Sequence, residues 1–208
     1  MNSTIRALLC CVALLPAGVA HAQSHGPFGI DHLAASDNSG IYKRHTQLLV
    51  QDLTLLTIVG GALWEGGDSR LGKTYWQSLD AAALGAVSST GLKYVFTRSR
   101  PSQTTDPDQW FKGKGHYSFP SGEVTFLSAA VTPFVLEYGH DHPAIYALEL
   151  LPLYDAVARV KVRAHWQSDV LAGFALGAGA GYLAHQQDSP WILRAMPGSV
   201  QVGFKKQF

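Results

Sequence analysis

The chain has 208 residues, 47% of them hydrophobic and 15% charged, with 16 basic against 15 acidic side chains and a mean hydropathy of +0.05. A balance this even excludes a partner held by bulk charge, nucleic acid above all. The hydropathy is high for a soluble protein and low for one built mainly of membrane spans, so composition leaves the relation to a membrane open.

In chain order, the first element predicted is a secretory signal over residues 1–22: one early cation, Arg6, an apolar run from Ala7 to Leu15, and Ala20-His21-Ala22. The run is too short to cross a bilayer. Cleavage after Ala22 would export a periplasmic product of about 186 residues (208 minus 22), enough for one domain with its own core. Both cysteines, Cys10 and Cys11, fall in the removed segment. The exported chain would therefore have no thiol for a disulfide, a zinc site or covalent catalysis.

Residues 23–44 form an irregular lead-in rich in Gly, Ser, Asp and His. A helix is predicted from His45 to Trp64, where Leu48, Leu49, Asp52, Leu55, Leu56 and Val59 fall at helical spacing and Gly66-Gly67 ends the pattern. Ser69 to Phe96 reads as one helix, or two joined near Tyr75, with Lys93 at its end. Thr97 to Ser118 carries Pro101, Pro107, Gly113 and Gly115 and reads as a long functional loop. Three helices follow, at Gly122–Tyr138, Pro143–Val160 and His165–Gln187, the last so rich in Gly and Ala that neighbours can approach it closely. The tail, 191–208, alternates like a short strand. The expectation is an all-α fold: a single helical-bundle domain of five to six helices over residues 45–190. Of the runs without charge only Val170–Gln187 reaches the length of a membrane span, and it holds four glycines. A soluble helical domain, with peripheral membrane contact left open, is favoured over a six-span protein.

Three stretches concentrate polar residues on apolar surroundings: "KYVFTRSRP" (93–101), "FPSGE" (119–123) and "ARVKVRAHWQSD" (158–169). Singly, each has a plain explanation: cations at a solvated helix end, a helix cap, and a helix-face pair. Together they suit a phosphate. A tetrahedral dianion is well held by a lysine, planar guanidiniums, a hydroxyl and amides at a helix start, and Lys93, Arg100, Arg159, Ser121 and the amides of Gly122 and Glu123 make that set. A neutral imidazole aimed by a partner on its other nitrogen can attack phosphorus in line. A carboxylate four residues after a histidine shares its helix face, which makes His165 the candidate nucleophile and Asp169 its orienter.

With these residues in place the sequence resembles the type 2 phosphatidic acid phosphatases, which share a helical core with class A acid phosphatases and vanadium haloperoxidases. The family signature is Lys-x6-Arg-Pro, Pro-Ser-Gly-His and Ser-Arg-x5-His-x3-Asp. This chain supplies Lys93 to Arg100-Pro101, Pro120-Ser121-Gly122, and Arg159 to His165 to Asp169. The resemblance implies hydrolysis of a phosphate ester or anhydride of a small molecule or lipid through a phosphohistidine on His165, without metal or other cofactor. Lys93, Arg100, Ser121, Gly122 and Arg159 would bind phosphoryl oxygens. Ala158 replaces the signature serine, and Glu123 replaces the histidine that protonates the leaving oxygen.

Glu123 leaves alternatives open. Burial and a bound anion would raise its pKa and keep it protonated, a working acid with an acid-shifted profile. A diphosphate substrate would need little help from an acid, since its leaving group is itself a phosphate. His116, in the same loop, is a substitute acid. A phosphate-binding homologue without turnover, and a vanadate-dependent haloperoxidase, complete the set. The aromatic residues Tyr94, Phe96, Trp110, Phe111, Tyr117 and Phe119 suit either a lipid tail or packing against the bundle. The groove for the rest of the substrate is expected from the lead-in, the first two helices and the 102–118 loop.

Overall fold

The computed structural model describes residues 26–187 and, further on, 194–196 and 199–201. The signal segment, the first residues of the lead-in and most of the tail lie outside the described residues. Five α-helices make the body: α1 (Arg44–Glu65), α2 (Arg70–Phe96), α3 (Gly122–Tyr138), α4 (Leu150–Lys161) and α5 (Gln167–His185). The fold is all-α, as expected. Within the tail two three-residue strands, Arg194–Met196 and Ser199–Gln201, pair antiparallel.

Helix α2 is continuous through Tyr75, capped at its start by Ser69, whose hydroxyl accepts from the Gly72 amide. The helix expected over Pro143–Val160 is divided. Residues Pro143–Glu149 form a 3-10 segment and the α-helix begins only at Leu150. The apolar pattern across that boundary is continuous, and a tighter turn keeps apolar side chains on one side much as an α-turn does, so pattern alone cannot separate them.

The centre is the packing of α2, α3 and α5. Gly173, Gly177 and Gly181 repeat every fourth residue and so lie on one face of α5. A Cβ at Gly173 would fall 2.6 Å from the Ser121 carbonyl oxygen, and one at Gly177 2.3 Å from that of Thr125. This face accepts the backbone of α3 itself, which explains the Gly and Ala content. The longest uncharged run is packed inside the domain: Val170, Gly173, Phe174, Gly177, Ala180, Gly181 and Ala184 are buried. Helix α1 differs. It packs through Gln47, Ile58 and Ala62, leaves most of its leucines exposed, and is the one described helix long and apolar enough to cross a membrane.

Candidate active site

The loop between α2 and α3 and the turn between α4 and α5 meet above the start of α3. Lys93, in the last turn of α2, donates from Nζ to the carbonyl oxygens of Tyr117, at 3.2 Å, and Pro120. Arg100 reaches the same Tyr117 oxygen at 3.3 Å and Ala164 O at 3.1 Å. The two cations are thus anchored to one carbonyl, and Arg100 is tied to the residue before His165. Burial, with the Arg100 charge beside it, lowers the Lys93 ammonium to about 8.

Ser121 is the residue that precedes the first turn of α3, and its amide donates to Asp169 O at 2.9 Å. Its hydroxyl is buried and makes no hydrogen bond among the described residues; the same holds for Nε of Arg159. Gly122 leaves room over the helix start: a Cβ there would meet Lys93 Cε at 3.5 Å. On α4, Arg159 is buried, and its Nη1 donates to Gln47 Oε1 at 3.0 Å. The backbone then folds back, because Arg159 O accepts from the amides of Ala164 and His165, which sets His165 beside Arg159.

His165 is 2% exposed. Its Nδ1 lies 2.7 Å from Ser118 O. A carbonyl oxygen only accepts, so Nδ1 carries the hydrogen and Nε2 the lone pair. Burial first, then the charges of Lys93 and Arg159, lower the imidazole to about 4 against the opposing pull of Asp169. The ring is neutral and its Nε2 nucleophilic over the whole physiological range.

Asp169 holds this arrangement by a route the sequence did not show. The helix starts at Gln167, so His165 lies before it rather than one turn along it, and the Asp169 carboxylate is 3.7 Å from Nδ1. Asp169 instead accepts from Trp166 N at 2.9 Å, Ser118 Oγ at 2.5 Å and Arg98 Nη1 at 2.6 Å. It acts on the ring mainly by holding Ser118, whose carbonyl is the direct orienter. Arg98, grouped by sequence with cations at a solvated helix end, is fully buried.

Glu123 stands in the first turn of α3 and its carboxylate is claimed by cations. Oε2 accepts from Arg44 Nη1 at 2.7 Å and from Gln51 Nε2 at 3.0 Å, with Arg159 Nη1 at 3.2 Å. Burial pushes its pKa up, but the Arg44 hydrogen bond, the charges of Arg159 and Arg44, and Gln51 together outweigh burial and hold the carboxyl below its ordinary value. Glu123 is therefore an ion-paired carboxylate here; the expected protonation concerns the site with phosphate bound. The sequence reading left out Arg44 and Gln51, both on α1 and far from every motif.

His116 bonds through Nδ1 to Ser99 Oγ at 2.9 Å, at the edge of the same loop. The aromatic residues of the loop pack largely on one another: Phe96 against Trp110 and Phe119, Tyr94 against Tyr117. Gln47, Ser118 and Asp31 also belong to the site and were missed. Only Ser118, beside the "FPSGE" stretch, had a signal near it.

The protein is an all-α domain that gathers Lys93, Arg100, Arg159 and a helix start near a buried histidine, His165. The family model described as the PAP2 superfamily matches residues 74–192, more than half of the chain, and the protein belongs to that superfamily. Over 109 residues it is 33% identical to the lipid A 1-phosphatase of Porphyromonas gingivalis, and over 114 residues 32% identical to an undecaprenyl-diphosphatase of Sulfolobus acidocaldarius. Each alignment covers 52% of this chain, but 22% and 50% of the respective relative. No solved structure matches significantly.

Proposed function

We propose that this protein is a phosphatase that cleaves a phosphomonoester or diphosphate of a lipid or polyprenyl substrate through a phosphohistidine, without a metal. The observation that carries this reading is that two buried polar atoms, Ser121 Oγ and Arg159 Nε, have no hydrogen-bond partner among the described residues and lie beside Lys93 and a histidine with its lone pair on Nε2. Buried polar atoms are ordinarily paired, and phosphoryl oxygens are the partners this set fits. In the first step Nε2 forms a bond to phosphorus as the bond to the leaving oxygen breaks and takes its electron pair. The ring keeps its Nδ1 hydrogen and becomes cationic. Water then attacks phosphorus, the P–N electron pair returns to Nε2, and phosphate leaves.

Two observations support the finer reading. Glu123 is engaged by two arginines, which suits a leaving group that needs little protonation, a phosphate rather than an alkoxide. The similarity to an undecaprenyl-diphosphatase accords with that. For the tail, a cavity of about 640 Å³ runs between α1, α3 and the 3-10 segment, with walls from Val50, Thr54, Val131, Phe134, Leu148 and Leu151. Val50, in the wall of that cavity, precedes Gln51, the Glu123 partner, in the sequence of α1. The 102–118 loop contributes no residue to its lining. Export to the periplasm and peripheral contact with a membrane complete the proposal.

The test is phosphate release from monoesters, phosphatidic acid and prenyl mono- and diphosphates, with chelator present and with His165→Ala as control. Turnover that vanishes in the control and is blocked by vanadate is expected. No release from any substrate, or an equally active control, overturns the reading. Glu123→His should raise monophosphate hydrolysis relative to diphosphate, and an unchanged preference removes the leaving-group argument.

A further inference from the structure

The step proposed above puts a positive charge on a ring that is 2% exposed. A buried cation needs a counter-charge. Asp169 is the nearest carboxylate, yet its Oδ1 is bound to the fully buried Arg98, which by itself would neutralise it. The other side of Arg98 is held by a second carboxylate. Asp31, from the lead-in, is 1% exposed and accepts from Arg98 Nη2 at 2.6 Å; it also takes Ser168 N at 2.7 Å and Ser168 Oγ at 2.6 Å. Arg98 is fixed further by Pro107 O, through Nε at 3.0 Å and Nη2 at 2.7 Å, and lies over the Trp110 ring at 4.2 Å. Two carboxylates and one guanidinium in line leave one net negative charge, delivered through Asp169 and Ser118 to the imidazole.

We propose that Asp31 is a positioning residue for phosphoryl transfer: by sharing Arg98 it keeps the Asp169 carboxylate negative toward His165 and so stabilises the cationic phosphohistidine. The inference rests on the phosphohistidine reading and adds to it a residue that lies ahead of the span matched by the family model. With Asp31 neutral, Arg98 and Asp169 cancel, and the ring must take its charge beside Lys93 and Arg159 without a net counter-charge from Asp169.

Asp31→Asn preserves shape and removes the charge. It should lower kcat and the rate of phosphohistidine formation by about tenfold or more, while inhibition by inorganic phosphate, which needs only Lys93, Arg100, Arg159 and Ser121, stays within about twofold. Ser168→Ala removes the hydroxyl that donates to Asp31 Oδ2 and accepts from Arg98 Nη1 at 2.7 Å, without changing the charge of the network, and should cost less than about threefold. Full kcat in Asp31→Asn overturns the proposal, as does a Ser168→Ala loss as large as that of Asp31→Asn, which would mark the network as scaffolding. If Asp31→Asn does not fold, Asp31→Glu replaces it: a folded Asp31→Glu with kcat within about threefold supports the role of charge, and failure of both to fold marks Asp31 as structural and overturns it. His165→Ala is assayed beside them. A wild type no more active than His165→Ala overturns the phosphatase reading and this one with it, whereas an active wild type with an unaffected Asp31→Asn overturns only the role of Asp31.

Discussion

The contact between His165 Nδ1 and Ser118 O decides which ring nitrogen keeps its hydrogen, and burial lowers the imidazole to about 4, so the nucleophile of the proposed reaction would be neutral above that pH. Histidine ionisation therefore sets no limb between pH 5 and 8. For the proposed reaction the limb above is assigned to Lys93, whose ammonium would bind phosphate when charged and loses its charge as pH rises through about 8. For the proposed reaction kcat/KM should fall above that pH, and Lys93→Arg, which stays charged, should carry the fall at least one unit higher. A limb that does not move assigns it to another group. Glu123 pairs with Arg159, one of the proposed phosphate ligands, so Glu123→Gln should tighten inhibition by inorganic phosphate about tenfold. Weaker inhibition would show that Glu123 organises the arginines rather than occupying them. All eight residues expected at the site are brought to one place, because spacing within each motif was legible. What the motifs could not show is the partner each residue takes: Ser118 for His165, and Arg44 for Glu123, whose cation comes from a helix with no motif of its own.

Helix α5 meets α3 through a strip of glycines, and the element boundaries around the site follow from that meeting. Ser121 N donates to Asp169 O, so the start of α3 is fastened to the start of α5. The expected boundaries of α1, α2 and α3 agree with the structure to within a residue or so, since glycine, proline and serine punctuate them. The start of α5 does not: His165 and Trp166 read as helical by pattern but lie in the turn, because the Asp169 carboxylate reaches back to the Trp166 amide. Gly177→Val tests the strip. A Cβ there would lie 2.3 Å from Thr125 O and 2.8 Å from Ala129 N, backbone atoms that cannot give way, so a loss of about 3 kcal/mol or more in unfolding free energy is expected. Gly179→Ala, on the same helix with nothing within 4 Å of its Cβ, should instead be neutral or stabilise by up to about 1 kcal/mol. Equal denaturant midpoints for the two variants would refute close approach as the reason for the glycines.

Across the whole molecule, buried charge and exposed apolar surface are both out of their usual place. Glu149 is 5% exposed, its carboxylate has no hydrogen-bond partner among the described residues, and burial raises it to about 7. A carboxyl with a raised folded-state pKa binds more protons folded than unfolded between about 4.5 and 7, so stability from this group is lost as pH rises through that window. Glu149→Gln should accordingly gain on the wild type in Tm as pH goes from 5 to 8, and a difference that is flat with pH contradicts the assignment. On the outside, α1 exposes Leu56 at 67%, Leu63 at 70% and Trp64 at 89%. Exposed apolar side chains grouped on one helix suit an interaction surface, and the same helix forms one wall of the apolar cavity. A bilayer against that face would present a lipid to the cavity from the side and keep its phosphate at the water interface, where Lys93 and Arg100 are. Burying three such side chains is worth several kcal/mol at about 1.5–3 kcal/mol each. The triple variant Leu56→Gln, Leu63→Gln, Trp64→Gln should therefore leave the protein folded, keep turnover of a water-soluble phosphate ester, and lower co-flotation with phosphatidylglycerol vesicles at least tenfold. Wild-type protein that stays with the aqueous fraction, or a variant that floats equally well, would show that α1 meets something other than lipid.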